Sequence, residues 1–159
     1  MQQPLHITSA QSLDLAQQFT LKHFCKQYKQ PLPQQQDFVA IAWLDQTIVG
    51  LVRLICCNGV QHYWLRGLFV APNARKQGVA RALISQLDEQ LVQHFGDSAT
   101  ENGLSITLFS LPYLQRFYES EGYWPVASCR LPKEIIDPWK KSQAARKNWI
   151  LMQKTINCR

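Results

Sequence analysis

The amino-acid sequence predicts an α/β fold built on a mixed, mostly antiparallel sheet flanked by helices. Three observations carry this. Residues 37–70 hold apolar runs broken by tight-turn signals, apolar spacing changes after Pro72 from period two to three and four, and a second β-type run, LSITLFS, follows. Strand, helix and strand then form a crossover over residues 60–110. Such a connection joins parallel strands, so the sheet is mixed.

Each element has a local reason. Leu5–Thr8 reads as a short strand, and Ser9 or Ser12 supplies a cap for a helix on which Leu13, Leu21, Phe24, Cys25 and Tyr28 share a face. Pro31 and Pro33 close that region. From Asp37, DFVAIAWL, a tight Asp45-Gln46 turn, TIVGLVRLICC, an Asn58-Gly59 hairpin signal and VQHYWLRGLFV read as three antiparallel strands. After Pro72, Ala80, Leu83, Ile84, Leu87, Leu91 and Phe95 mark one long amphipathic helix that Gly96 stops. A polar loop over 96–103 leads into the strand 104–110, and Pro112 precedes a helix over Tyr113–Glu121 that ends at Gly122. Tyr123–Cys129 is expected as a strand, 130–147 as a polar loop and NWILMQKTI as the last strand.

A chain of 159 residues, 46% hydrophobic, supports one sizeable core, so residues 1–159 are expected to form a single domain. The N-terminus lacks the basic start and apolar run of a signal peptide, and no stretch approaches a membrane span; a soluble, cytoplasmic protein is expected. Five cysteines, Cys25, Cys56, Cys57, Cys129 and Cys158, form no C-x-x-C pair and fit reduced, buried thiols. Cys56, Cys57 and His62 do not make a metal site, because adjacent strand residues point to opposite faces. No metal is expected. The net charge of +6 favours an anionic partner.

The residues placed to meet an anion are 75-RKQGVA-80, at the start of the long helix. Backbone N–H groups there lack internal partners and sit at the positive end of the helix dipole. Gly78 lets a ligand approach the backbone, Ala80 is small, and Arg75, Lys76 and Arg81 add charge. Neither G-x-x-x-x-G-K-[ST] nor a G-x-G-x-x-G following a strand is present, which excludes the common NTPase and dinucleotide loops.

These residues resemble the GNAT superfamily of acetyl-CoA-dependent N-acyltransferases. Its R/Q-x-x-G-x-G/A motif is met by Arg75, Gly78 and Ala80, DQTIVGLVRL looks like its central hairpin, and FYESEGY looks like its FYxxxGF segment. The likeness spans about residues 37–126. It implies a sheet whose central parallel strands splay, with the amides of Lys76, Gln77, Gly78, Val79, Ala80 and Arg81 cradling the CoA pyrophosphate. Main-chain groups of Leu68, Phe69 and Val70 would pair with pantetheine and the acetyl carbonyl like an added strand. Gly67 fits a close backbone approach within that strand. It also implies a monomer or homodimer.

The implied reaction is direct acetyl transfer from acetyl-CoA to a primary amine in a ternary complex. Tyr118 matches the family's tyrosine near the CoA sulfur and is expected to act as general acid, while the Leu68 amide polarises the carbonyl. The strand face holding His62, Trp64 and Arg66 carries no carboxylate. His62 is the candidate base, acting through water, and Arg53 and Arg66 are candidates to select an acidic acceptor. Leu111 and Leu114 replace the family's usual Asn and small residue. The segment 138-PWKKSQAARKNW-149 mixes tryptophan with cations and is read as a loop rimming the acceptor cleft, with nucleic acid disfavoured. The alternative from another class is a GNAT-like module that binds acyl-CoA or nucleic acid without turnover.

Overall fold

Residues 4–57, 61–95, 103–128 and 130–156 are described by a computed structural model. The expected Asn58-Gly59 turn, the Gly96 stop and the polar loop at 96–102 lie outside them, as do Cys129 and Cys158. The strands are β1 (Leu5–Ser9), β2 (Phe38–Leu44), β3 (Thr47–Cys56), β4 (His62–Val70), β5 (Leu104–Ser110), β6 (Trp124–Pro125) and β7 (Ile150–Ile156). The helices are α1 (Leu15–Gln27), α2 (Val79–Phe95), α3 (Gln115–Ser120) and α4 (Lys133–Ala144). Hydrogen-bonded neighbours follow the order β1-β2-β3-β4-β5-β7-β6. β4 and β5 are parallel, as the crossover required, and β1/β2, β2/β3, β5/β7 and β6/β7 are antiparallel. The chain divides into two compact units, Met1–Ile55 with Arg66–His94 and Cys56–Leu65 with Phe95–Arg159.

In the first unit, β2 and β3 meet across Asp45-Gln46, where Asp45 takes a φ of 57°. Their register then slips: Ala42 faces Gly50 but Trp43 faces Ile48, so Val49 is the extra residue of a bulge. Its carbonyl accepts a 2.7 Å bond from Ala71 N–H, which fastens the end of β4 to β3. Leu21, Phe24 and Cys25 of α1 pack on Val39, Ile41, Trp43, Ile48 and Leu51. The cap of α1 is neither Ser9 nor Ser12. Asp14 caps it in a reciprocal box with Gln17, and Ser12 instead donates to Ser9 within a short 3-10 turn. Leu13 is buried but precedes the helix.

Helix α2 buries Leu83, Ile84, Leu87 and Leu91 of the stripe read from the sequence, together with Val79, while Ala80 and Phe95 are only partly buried. Gly50 makes that seat possible. A Cβ on it would lie 3.0 Å from the Phe69 carbonyl oxygen, 3.2 Å from Leu83 Cδ1 and 3.3 Å from Val79 Cγ1.

In the second unit, β5 and β7 pair along their full length, from Leu104↔Ile156 to Ser110↔Ile150. The strand expected over Tyr123–Cys129 shortens to Trp124–Pro125; Pro125 has no N–H to extend a ladder. The segment 130–147, expected as a loop, contains α4 with Pro138 inside it. Proline in a helix interior costs about 3 kcal/mol. Burial of Ile135, on one face with Trp139 and Ser142, recovers an amount of the same order, about 1.5–3 kcal/mol for a large aliphatic side chain. The polar composition of 130–147 hid that stripe. Among the described residues, no helix is long and apolar enough to cross a membrane.

Overpacking at Gly50 gives a direct check on this seat. Gly50→Ala is expected to destabilise the protein by about 1–3 kcal/mol, read as a lower urea midpoint with unchanged m-value.

Candidate functional site

The junction between β4 and α2 lies wholly in the first unit. After Ala71, a 3-10 turn over Pro72–Ala74 is followed by two left-handed residues, Lys76 at φ 64° and Gly78 at φ 80°. The helix begins at Val79, and Ala82 N–H bonds to the Gly78 carbonyl as its first turn closes. Among the described residues, no side chain accepts from the amides of Gln77, Gly78, Val79 or Ala80. A Cβ on Gly78 would meet nothing within 4 Å, so glycine is needed there for its backbone angle and leaves open space before the loop. Lys76, Gln77 and Arg81 are exposed. The open amides stand at the head of a 17-residue helix, where the helix dipole favours negative charge.

Arg75 serves this junction differently from the expectation. Its Nε donates 2.9 Å to the Val70 carbonyl and its guanidinium lies 5.7 Å from the Phe69 ring centre. It braces the loop against the strand, and it occupies one of the main-chain acceptors that pantetheine was expected to use. Phe69 points its ring into Phe24 and Tyr28, so any cofactor contact there is through the backbone. Leu68 and Val70 are half-buried.

Gly67 has a φ of 64°, the conformation of a strand residue at a bulge or close approach. Directly beside it, Arg53 Nε lies 3.5 Å from the position a Cβ would take. Arg53 is buried and ion-paired with Asp37 at 3.7 Å, and Asp37 also accepts from Gln34 N–H. Arg53, read from the sequence as a substrate contact, is thus a scaffold group under the kink. Arg66 is exposed on β4.

The second unit holds the other two sequence candidates. His62 is buried, with Nε2 2.6 Å from Thr107 Oγ1, and burial lowers its pKa. That bond ties β4 to β5 where they pair, over His62–Trp64 with Ser105–Thr107. Tyr118 on α3 is buried among Phe117 and Tyr123, and burial, with a smaller contribution from Tyr113, pushes its phenol up to about 12. Among the described residues its hydroxyl makes no hydrogen bond. Cys25 and Cys57 are buried thiols and Cys56 is exposed; no cluster of three metal-capable side chains occurs among the described residues.

Sequence reasoning missed four structural partners: Gly50, the Val49 bulge, Asp37 and Thr107. Gly50 alone left a signal, a glycine inside a buried strand.

A mixed sheet with a kinked strand running into a helix whose first amides are open is the arrangement to which the comparisons speak. The chain belongs to the GNAT acetyltransferase family: the profile of the acetyltransferase (GNAT) domain matches residues 7–135. No curated protein sequence matches. Among solved structures, an aminoglycoside 6'-N-acetyltransferase complexed with coenzyme A aligns at TM-score 0.67 and 16% identity, covering 97% of this chain and 98% of that one. ElaA of Escherichia coli aligns at 0.62 and 18% identity over 95% and 98% of the two chains. N-acetylglutamate synthase from Neisseria gonorrhoeae, complexed with coenzyme A and N-acetyl-glutamate, aligns at 0.63 and 14% identity over 97% of this chain. This chain covers only 35% of that synthase. At these identities the likeness is one of fold.

The buried His62 has a consequence for stability. Its folded pKa lies below 6.5, so the unfolded chain takes up the proton first as pH falls. The stabilisation is full above pH 6.5 and is lost as pH drops through the lower folded value. Urea midpoints are expected to fall between pH 7 and pH 5, by less in His62→Gln.

Proposed function

We propose that the protein transfers the acetyl group of acetyl-CoA to a primary amine by direct attack in a ternary complex. One observation carries this reading: Lys76 and Gly78 both take left-handed angles, presenting the uncapped amides of Gln77, Gly78, Val79 and Ala80 at the head of a long helix. A diphosphate accepts from those amides, and charge-assisted bonds of this kind contribute on the order of 1.5–3 kcal/mol each. Lys76 and Arg81 add positive charge around it. Backbone groups of Leu68, Phe69 and Val70 receive the pantetheine arm, with the Arg75 side chain yielding the Val70 carbonyl.

The acceptor nitrogen attacks the thioester carbonyl as the Leu68 N–H stabilises the oxyanion. The new C–N bond forms, the C–S bond breaks, the acceptor's excess proton leaves to solvent and the thiolate takes a proton from the Tyr118 hydroxyl. A phenol raised to about 12 keeps its proton at neutral pH. Burial that raises the phenol raises a desolvated thiolate as well, which narrows the mismatch between them. His62, tied to Thr107, is a poor base, so the amine arrives already neutral. For an ordinary alkylamine that costs roughly 4–5 kcal/mol at pH 7. Arg66 remains a contact for the acceptor.

The same lack of a base favours a second reading, a module that binds acyl-CoA, or a nucleic acid, without turnover. Thiol release with a panel of amines separates the two. Turnover that rises from pH 7 to 9, as the amine deprotonates while Tyr118 does not, together with a loss of about 100-fold in kcat in Tyr118→Phe at unchanged CoA affinity, supports acetyl transfer. CoA binding with no thiol release from any amine supports the module.

A further inference from the structure

Helix α1, in the first unit, turns two large apolar side chains to solvent. Leu21, Phe24 and Cys25 face the core, while Leu15 and Phe19 are 70% and 62% exposed. Single exposed apolar residues are ordinary on a protein surface. These two are neighbours four residues apart on one helix, and the same line continues into Lys22 and Lys26, both exposed. Lys22 Nζ lies 5.9 Å from the centre of the Phe19 ring, so the apolar and cationic halves meet as one surface.

The spacing of that line is specific. Leu15, Phe19, Lys22 and Lys26 follow one another by four, three and four residues, the seam that one helix presents to a second. Residues 15–27 include no Asp or Glu, and the N-cap Asp14 is engaged with the Gln17 amide. The helix dipole favours a cation in the last turn, which accounts for Lys26 but not for Lys22 over an exposed Phe19.

The order of residues along the seam selects what covers it. A bilayer takes up a helix whose cations flank its apolar face; here they lie in line with it, and the opposite face of α1 is held in the core. A second copy of α1 laid antiparallel would set lysine against Leu15 and Phe19, and laid parallel would set lysine against lysine. A helix carrying carboxylates and apolar side chains in line matches both halves. Carboxylates are favoured at a helix N-terminus, so they belong in the first two turns of such a helix, which then runs antiparallel to α1.

We propose that the Leu15, Phe19, Lys22 and Lys26 face of α1 docks an acidic amphipathic helix of another protein, carboxylates against the lysines and apolar side chains on Leu15 and Phe19. Docking there does not depend on the acetyltransferase reading.

The probe is a labelled, alanine-rich helical peptide of about 18 residues, with Glu at its first two seam positions and Leu at the next two, followed by fluorescence anisotropy. It is expected to bind, about tenfold more weakly to Phe19→Ala and to the double variant Lys22→Glu, Lys26→Glu, and several-fold more weakly as salt rises from about 0.05 to about 0.3 M. A peptide with Lys in place of Glu is expected to bind at least about tenfold more weakly. Val92→Ala, at an exposed apolar position of α2, leaves binding unchanged. The substituted positions are exposed, so urea midpoints stay near that of the parent and report that the variants are folded. No binding of the acidic peptide at about 1 mM, equal binding of the Lys peptide, or indifference to both Phe19→Ala and the lysine reversals overturns the proposal. Binding to phosphatidylglycerol vesicles, or dimerisation in sedimentation, that Phe19→Ala abolishes while the acidic peptide stays unbound assigns the face to lipid or to a second copy and overturns it as well.

Discussion

The structure depends on how the first turn of α2 is seated. Gly50 removes the side chain that would separate β3 from Val79 and Leu83, and the Val49 bulge turns a carbonyl to the amide of Ala71. Together they fix where β4 ends and where the helix starts. The left-handed pair at Lys76 and Gly78 then has one job, to bring the chain into the helix with its amides facing outward. Arg75, bonded to Val70 and lying over Phe69, locks the turn from the other side. A helix end left open in this way favours an anion without a dedicated side chain, because the backbone dipoles point their positive ends outward.

The same economy holds for the charged groups. Arg53 and Asp37 form a buried pair whose removal on one side would leave an uncompensated charge, so it specifies geometry more than it adds stability. That geometry is the left-handed Gly67 beside it. His62 and Thr107 play the corresponding part in the second unit, holding β4 to β5 at their paired end.

Much of this was legible in the residues. The boundaries of β5 and the stripe of α2 follow from apolar periodicity, and the strand-helix-strand order forced the parallel pair. The turn into α2 was legible in Gly78, because glycine takes a positive φ without strain. What was not legible were facts of pairing across long separations: Asp37 with Arg53, Thr107 with His62, Gly50 under Phe69. Local signals also misled, once to a competing local cap and once to tertiary burial. Asp14 outcompeted two serines for the α1 cap by reaching Gln17, and Ile135 held a helix together through Pro138.

Amide-detected NMR titration with coenzyme A and with pantetheine, which lacks the diphosphate, tests the central claim most directly. The account predicts that the N–H resonances of Gln77, Gly78, Val79 and Ala80 shift on adding coenzyme A and stay in place with pantetheine. Resonances there that ignore coenzyme A while others respond, or that answer both compounds alike, would contradict it.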